Sequence, residues 1–198
     1  MFAVAIILLI FTVRSTPFQT STTGLLGKRA HPSPDSAFTS VPIPPRGKST
    51  LGAATRAAGC QLRSYPDFGR GHTVKPVRYK TNPPTSGDHS PVAADDGAFA
   101  PDNVPPVTQT VHALEHGRVE IQWRTGLSQR QIGQLKSLFD ERDGYHTLLF
   151  ENRTRMPYAV AATAWTHLLG CPRFSPVVFD ALRAFRARYT DKGPESVP

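Results

Sequence analysis

Seven histidines occur in this chain, and two of them, His112 and His116, bracket Glu115 in the H-x-x-E-H pattern of VHALEHGRVEIQW. With five glutamates and seven histidines available, a chance match is expected on the order of 0.006 times per chain, so the pattern is not noise. Its chemistry depends on local conformation. On a helix, residues i and i+4 lie about 6 Å apart on one face, so both imidazoles reach one metal ion with Glu115 beside them. On a strand the same pair is separated by roughly 13 Å and cannot chelate. Gly117, directly after His116, is a natural stop for a helical turn before the alternating residues 118–123 (RVEIQW).

A second constellation is NPPTSGDH, residues 82–89. Two prolines stiffen the backbone ahead of a Ser-Gly-Asp turn, which presents His89 at little entropic cost. This is a way to position a third ligand. Asp88 is expected to hydrogen-bond around it, and the competing reading is a Pro-rich turn in which Asp88 and His89 bond only to backbone. His72, in GRGHTV, is a fourth candidate, and Met156, in RTRMP, is a possible soft ligand. His31, His146 and His167 are read as structural.

Three functions fit these residues. The first is a metal site built from His72, His89, His112 and His116, with Glu115 orienting one ring from outside the ligand set; imidazoles suit zinc or copper, and Met156 would favour copper by binding Cu(I). The second is a zinc hydrolase in which Glu115 is the catalytic general base and Glu141 or Glu151 supplies a carboxylate ligand. The third is a structural or partner-binding module whose histidines and Glu115 form a satisfied hydrogen-bond network.

The elements that must carry these groups are legible in part. Residues 118–123 alternate as a half-exposed strand; Ser128 is a plausible N-cap for a helix with Ile132, Leu135, Leu138 and Phe139 on one face, ending before Asp143-Gly144. Residues 147–150 read as a short strand, 158–165 as either helix or buried strand, and Val178, Leu182, Phe185 and Tyr189 mark a helix that begins near Ser175-Pro176. Between residues 59 and 106 lie eight of the 19 prolines, which implies a loop lobe laid over the core. The fold class that follows is α+β: one small domain with a mixed β-sheet, two amphipathic helices and a Pro-rich lobe.

The 198 residues suffice for one globular domain, and 39% apolar content excludes a fully disordered chain. Residues 1–60 hold six basic side chains and one acidic one, so much of the net charge of +8 lies outside the regular part. No aromatic residues interleave that stretch as a single-strand binding groove requires, so nucleic acid is not an expected partner. Residues 2–13 (FAVAIILLIFTV) form an apolar run shorter than the roughly 20 residues of a spanning helix, and residues 1–14 read as an export signal or anchor, the sole expected membrane contact. Residues 15–58, rich in Ser, Thr and Pro, read as a disordered linker. The globular domain is placed at residues 59–195. Cys60 and Cys171 bracket it and in an exported chain are most simply a disulfide, the alternative being two unrelated buried thiols.

The series GC, GHTV…RY, NPPTSGDH, HALEHG, AW…GC and GPE resembles the bacterial extracytoplasmic family known as domain of unknown function 3105. The resemblance spans about residues 59–195. It implies a signal or single anchor helix, a polar linker and an outward-facing domain, and it matches Cys60, His72, His89, His112, Glu115, His116 and Cys171 to positions of the family pattern. No activity comes with it.

Overall fold

The computed structural model describes residues 38–47 and 49–197. The signal-like segment, His31 and most of the expected linker lie outside the described residues. What is described consists of α1 (Leu51–Ala57), β1 (Gln61–Ser64), β2 (Gly97–Ala98), α2 (Val107–Glu115), β3 (Val119–Arg124), α3 (Gln129–Asp140), β4 (Thr147–Asn152), β5 (Val160–Ala164), β6 (His167–Cys171) and α4 (Val178–Tyr189). The strands form one mixed sheet in the order β1-β6-β5-β3-β4-β2. β4 runs parallel to both β3 and β2, and the remaining pairs are antiparallel. The domain is α+β, with two helices more than the amphipathic pair read from the sequence.

Central strand β3 divides the molecule. Its odd residues Val119, Ile121 and Trp123 enter the main core with Leu135, Leu138 and Phe139 of α3 and Phe179, Leu182 and Phe185 of α4. Its even residues Glu120 and Gln122 are equally buried but face the other way, as the two-residue period of a strand requires. Neighbouring β4 alternates likewise: Leu149 joins the main core, while Leu148 and Phe150 pack with Ala94, Phe99 and Ala113 of the lobe and α2. Helices α3 and α4 thus cover one face of the sheet, and α2 with the Pro-rich lobe covers the other.

Local chemistry explains the boundaries. Ser128 caps α3 through a reciprocal capping box with Gln131. The alanine-rich segment that allowed either helix or strand is strand β5, because both its neighbours, β3 and β6, offer free edges to pair and every residue of it is buried. Cys60 and Cys171 form a disulfide beside the β1–β6 pair.

The linker ends earlier than composition implies. Helix α1 occupies residues expected to be disordered, with Thr50 as its N-cap, and upstream Phe38 meets the Trp123 ring edge-on at 5.6 Å. Phe38, Ile43 and Leu51 all pack on the main core, and Arg183 donates to the Pro44 carbonyl at 2.8 Å. An extended Pro-rich strap can bury an apolar side chain every few residues without forming a regular element, so low hydrophobic density did not mean absence of structure.

Candidate metal centre

Helix α2 settles the conformation of the H-x-x-E-H motif. His112 and Glu115 lie within it, and His116 is its C-cap. Gly117 follows at φ 81°, with the Asp191 Cα only 2.9 Å from where a Cβ would stand, so both backbone conformation and space call for glycine. The His112 and His116 Nε2 atoms are 2.9 Å apart.

The lobe brings the other two histidines onto this helix. Residues 71–73 and 89 pair as a parallel bridge: the His89 N–H donates to the Gly71 carbonyl at 2.9 Å, and the Thr73 N–H donates to the His89 carbonyl at 2.7 Å. The ring centroids of His72, His89 and His112 consequently lie 4.8–5.2 Å from one another. Asp88 accepts from the Gly71 N–H at 2.9 Å and so braces the loop bearing His72.

Ligand-capable atoms of His72, His89, His112 and Glu115 all fall within 4.8 Å of one another. A tetrahedral ion with bonds of about 2.0–2.1 Å needs its ligands about 3.3 Å apart, a distance that small side-chain rotations supply. His72 is exposed and the other three are buried, which gives the cluster one open side.

Proton placement is constrained by backbone. The Nδ1 of His89 lies 2.8 Å from the Gly87 carbonyl, and that of His112 lies 2.7 Å from the Ser90 carbonyl. A carbonyl only accepts, so Nδ1 carries the proton in each ring and Nε2 of the neutral ring carries a lone pair. The His89 Nε2 and Glu115 Oε2 are 2.9 Å apart and fully buried, yet neither makes a well-aligned hydrogen bond. The contact is therefore a close approach of two acceptors, and it requires a cation or a proton between them. Burial lowers the pKa of both His112 and His116, the next contributions being His116 on the first and Arg118 on the second. Both shifts favour the neutral, ligand-competent form.

A second grouping combines His112 and His116 with Glu195, whose Oε2 is 3.3 Å from the His116 Nε2. Sequence reasoning missed Glu195, which reaches the helix only because the tail folds back; its place in the closing GPE was the sole signal. Because His112 offers a single lone pair, the two groupings cannot both use it for separate ions.

Other candidates fall elsewhere. Met156 is buried in an apolar cluster with Tyr158, Ala161 and Leu168. Glu141 is held by Arg183 at 2.6 Å and Arg186 at 3.1 Å, and Glu151 by Arg153 at 2.9 Å, so neither supplies the extra carboxylate. Glu115, expected to orient a ring from outside the ligand set, offers a carboxylate oxygen in the same grouping as His72, His89 and His112. His146 bonds to Asp191, and His167 bonds to Ser64 at 2.9 Å and stacks on Tyr189.

Fold and site together define a small disulfide-bonded α+β domain that gathers histidines and carboxylates from a helix, a loop lobe and the tail. Residues 72–197 match the family described as a protein of unknown function, DUF3105, and the chain belongs to that family. No curated protein and no solved structure matches it.

Proposed function

We propose that the protein is an exported metal-binding domain holding one divalent zinc or copper ion between His72, His89, His112 and Glu115. The observation that carries this reading is the buried, unpartnered approach of the His89 Nε2 to the Glu115 Oε2. An unsatisfied buried polar group costs about 1–3 kcal/mol, and a cation between two acceptors removes that cost. Mixed imidazole and carboxylate ligands suit Zn(II) or Cu(II), and with Met156 in the core nothing favours Cu(I). The disulfide supports an oxidising, extracytoplasmic setting, with membrane contact confined to the N-terminal segment. Among the described residues no helix is long and apolar enough to cross a membrane.

A zinc hydrolase is the second reading, favoured by the helical H-x-x-E-H motif and by Glu195, which with His116 borders a cavity of about 270 Å³. Against it stands Glu115, which as general base must meet water but is 1% exposed and turned to His89. Elemental analysis after incubation with Zn(II) or Cu(II) and desalting separates the alternatives. Stoichiometric metal lost in His89→Ala and His112→Ala but kept in Glu195→Ala supports the proposed site. Metal kept in His89→Ala and lost in Glu195→Ala supports the hydrolase triad. No retained metal with either ion leaves a proton between His89 and Glu115, and hence the structural network.

A further inference from the structure

Behind α2, on the sheet face away from the main core, lies a cavity of about 330 Å³ with no histidine in its wall. Its sides are apolar, from Pro101, Val104, Val107 and Phe150, and its floor is polar, from Glu120, Gln122 and Asn152.

The floor is locked. The Glu120 Oε2 accepts from the Thr163 hydroxyl at 3.0 Å and from the Gln122 amide. The Gln122 Oε1 accepts from Asn152 Nδ2 at 2.7 Å, and the Asn152 Oδ1 from the Thr154 N–H at 2.8 Å. The remaining carboxylate oxygen, Glu120 Oε1, is buried and without a hydrogen-bond partner. Thr110 stands beside it, but its hydroxyl proton goes to the Val107 carbonyl at 3.2 Å. Once ionised, this side chain, only 1% exposed, presents one unpartnered oxygen that accepts, in a cavity of the size that holds small ligands.

Charge narrows the ligand. Asp102 and Glu151 also line the cavity, and its one basic residue, Arg153, is paired with Glu151. We infer that the cavity is a binding site for a small organic amine, whose protonated nitrogen donates to Glu120 Oε1 while its apolar body lies against Val104, Val107 and Phe150. A donor with positive charge satisfies the orphan oxygen and the acidic lining together. This site is separate from the histidine cluster and does not depend on the metal reading.

Benzylamine is a suitable probe, with benzyl alcohol as its neutral counterpart. In NMR titrations of the protein above pH 7, where Glu120 is ionised, benzylamine is expected to shift the side-chain amide signals of Gln122 and Asn152 saturably, and benzyl alcohol to bind roughly tenfold more weakly or worse. Glu120→Gln should abolish this preference. Val104→Trp, which fills the half-buried side of the cavity and leaves Glu120 in place, should abolish binding of both and keeps the test valid if Glu120→Gln does not fold. Failure of benzylamine to shift these signals, equal affinity for the alcohol, or unchanged binding in Val104→Trp would overturn the inference.

Discussion

The backbone N–H of Glu195 donates to the carbonyl of Glu115 at 3.1 Å, so the tail of the chain is tied to the last turn of the helix that bears the histidine motif. One residue pair up the same path, the Asp191 N–H donates to the Gly117 carbonyl at 2.9 Å. These two backbone contacts deliver the Glu195 carboxylate to His116 and close the flank of the cluster. The site is therefore assembled from three separate stretches: the lobe gives His72 and His89, α2 gives His112 and Glu115, and the tail covers His116. The cluster is thus sensitive to how these three segments approach one another.

That approach has a single narrow point at Gly193. A Cβ there would stand 2.1 Å from the Glu115 carbonyl oxygen and 2.3 Å from the Gly117 nitrogen, both backbone atoms that cannot swing aside. Gly193→Ala is expected to push the tail off α2, at a cost of about 1–3 kcal/mol in denaturant unfolding. Metal retention at the inner site should persist, because Glu195 is not among its ligands; loss of metal equal to that of His89→Ala would assign the tail a ligand role.

Met156 distinguishes packing from coordination. The side chain is 1% exposed among Tyr158, Ala161 and Leu168, so Met156→Ala should lower stability by about 2–5 kcal/mol through the cavity it leaves. Zinc and copper binding measured by competition with a chromophoric chelator should be unchanged. A selective loss of Cu(I) affinity would restore Met156 as a soft ligand.

Much of this arrangement was readable from residue order, and the exceptions have physical causes. Helices α3 and α4 announced themselves through periodic apolar faces and a Ser128 cap, and β3 through its alternation, because these signals are local. Helix α2 was only conditional, since its short span gives little periodicity and its N-cap, Pro106, makes no side-chain hydrogen bond. β6 was not foreseen, and β1 is exposed along its whole length, so neither burial pattern nor composition marks it. The histidine pair in the motif and the NPPTSGDH loop were visible as residue types at fixed spacing. Their convergence on Glu115 as one of the gathered groups, and the arrival of Glu195, were not, because loop and tail placement is set by tertiary contacts.

The disulfide closes most of the domain, its cysteines standing 111 positions apart in sequence. On the chain-entropy account a loop of this length stabilises the fold by about 4–5 kcal/mol. The double variant Cys60→Ala with Cys171→Ala should show a loss of that order in guanidinium unfolding. Alkylation of the unreduced protein should add no mass, and any adduct before reduction would show that the bond does not form.

Glu120 should make stability depend on pH in a direction opposite to that of a salt-bridged acid. Burial pushes its carboxyl up to about 7 from 4.5, against the bond from the Thr163 hydroxyl that favours the charged form. In the unfolded chain the group ionises near its ordinary value, whereas the folded protein keeps the proton until pH rises to about 7. Its contribution is thus fully present below about pH 4.5 and is lost between there and about pH 7, by an amount on the order of 3 kcal/mol. Glu120→Gln, which cannot ionise, should remove this dependence. Urea unfolding of both proteins across the interval should show the variant gaining on the wild type as pH rises; a constant difference would mean that Glu120 is charged throughout.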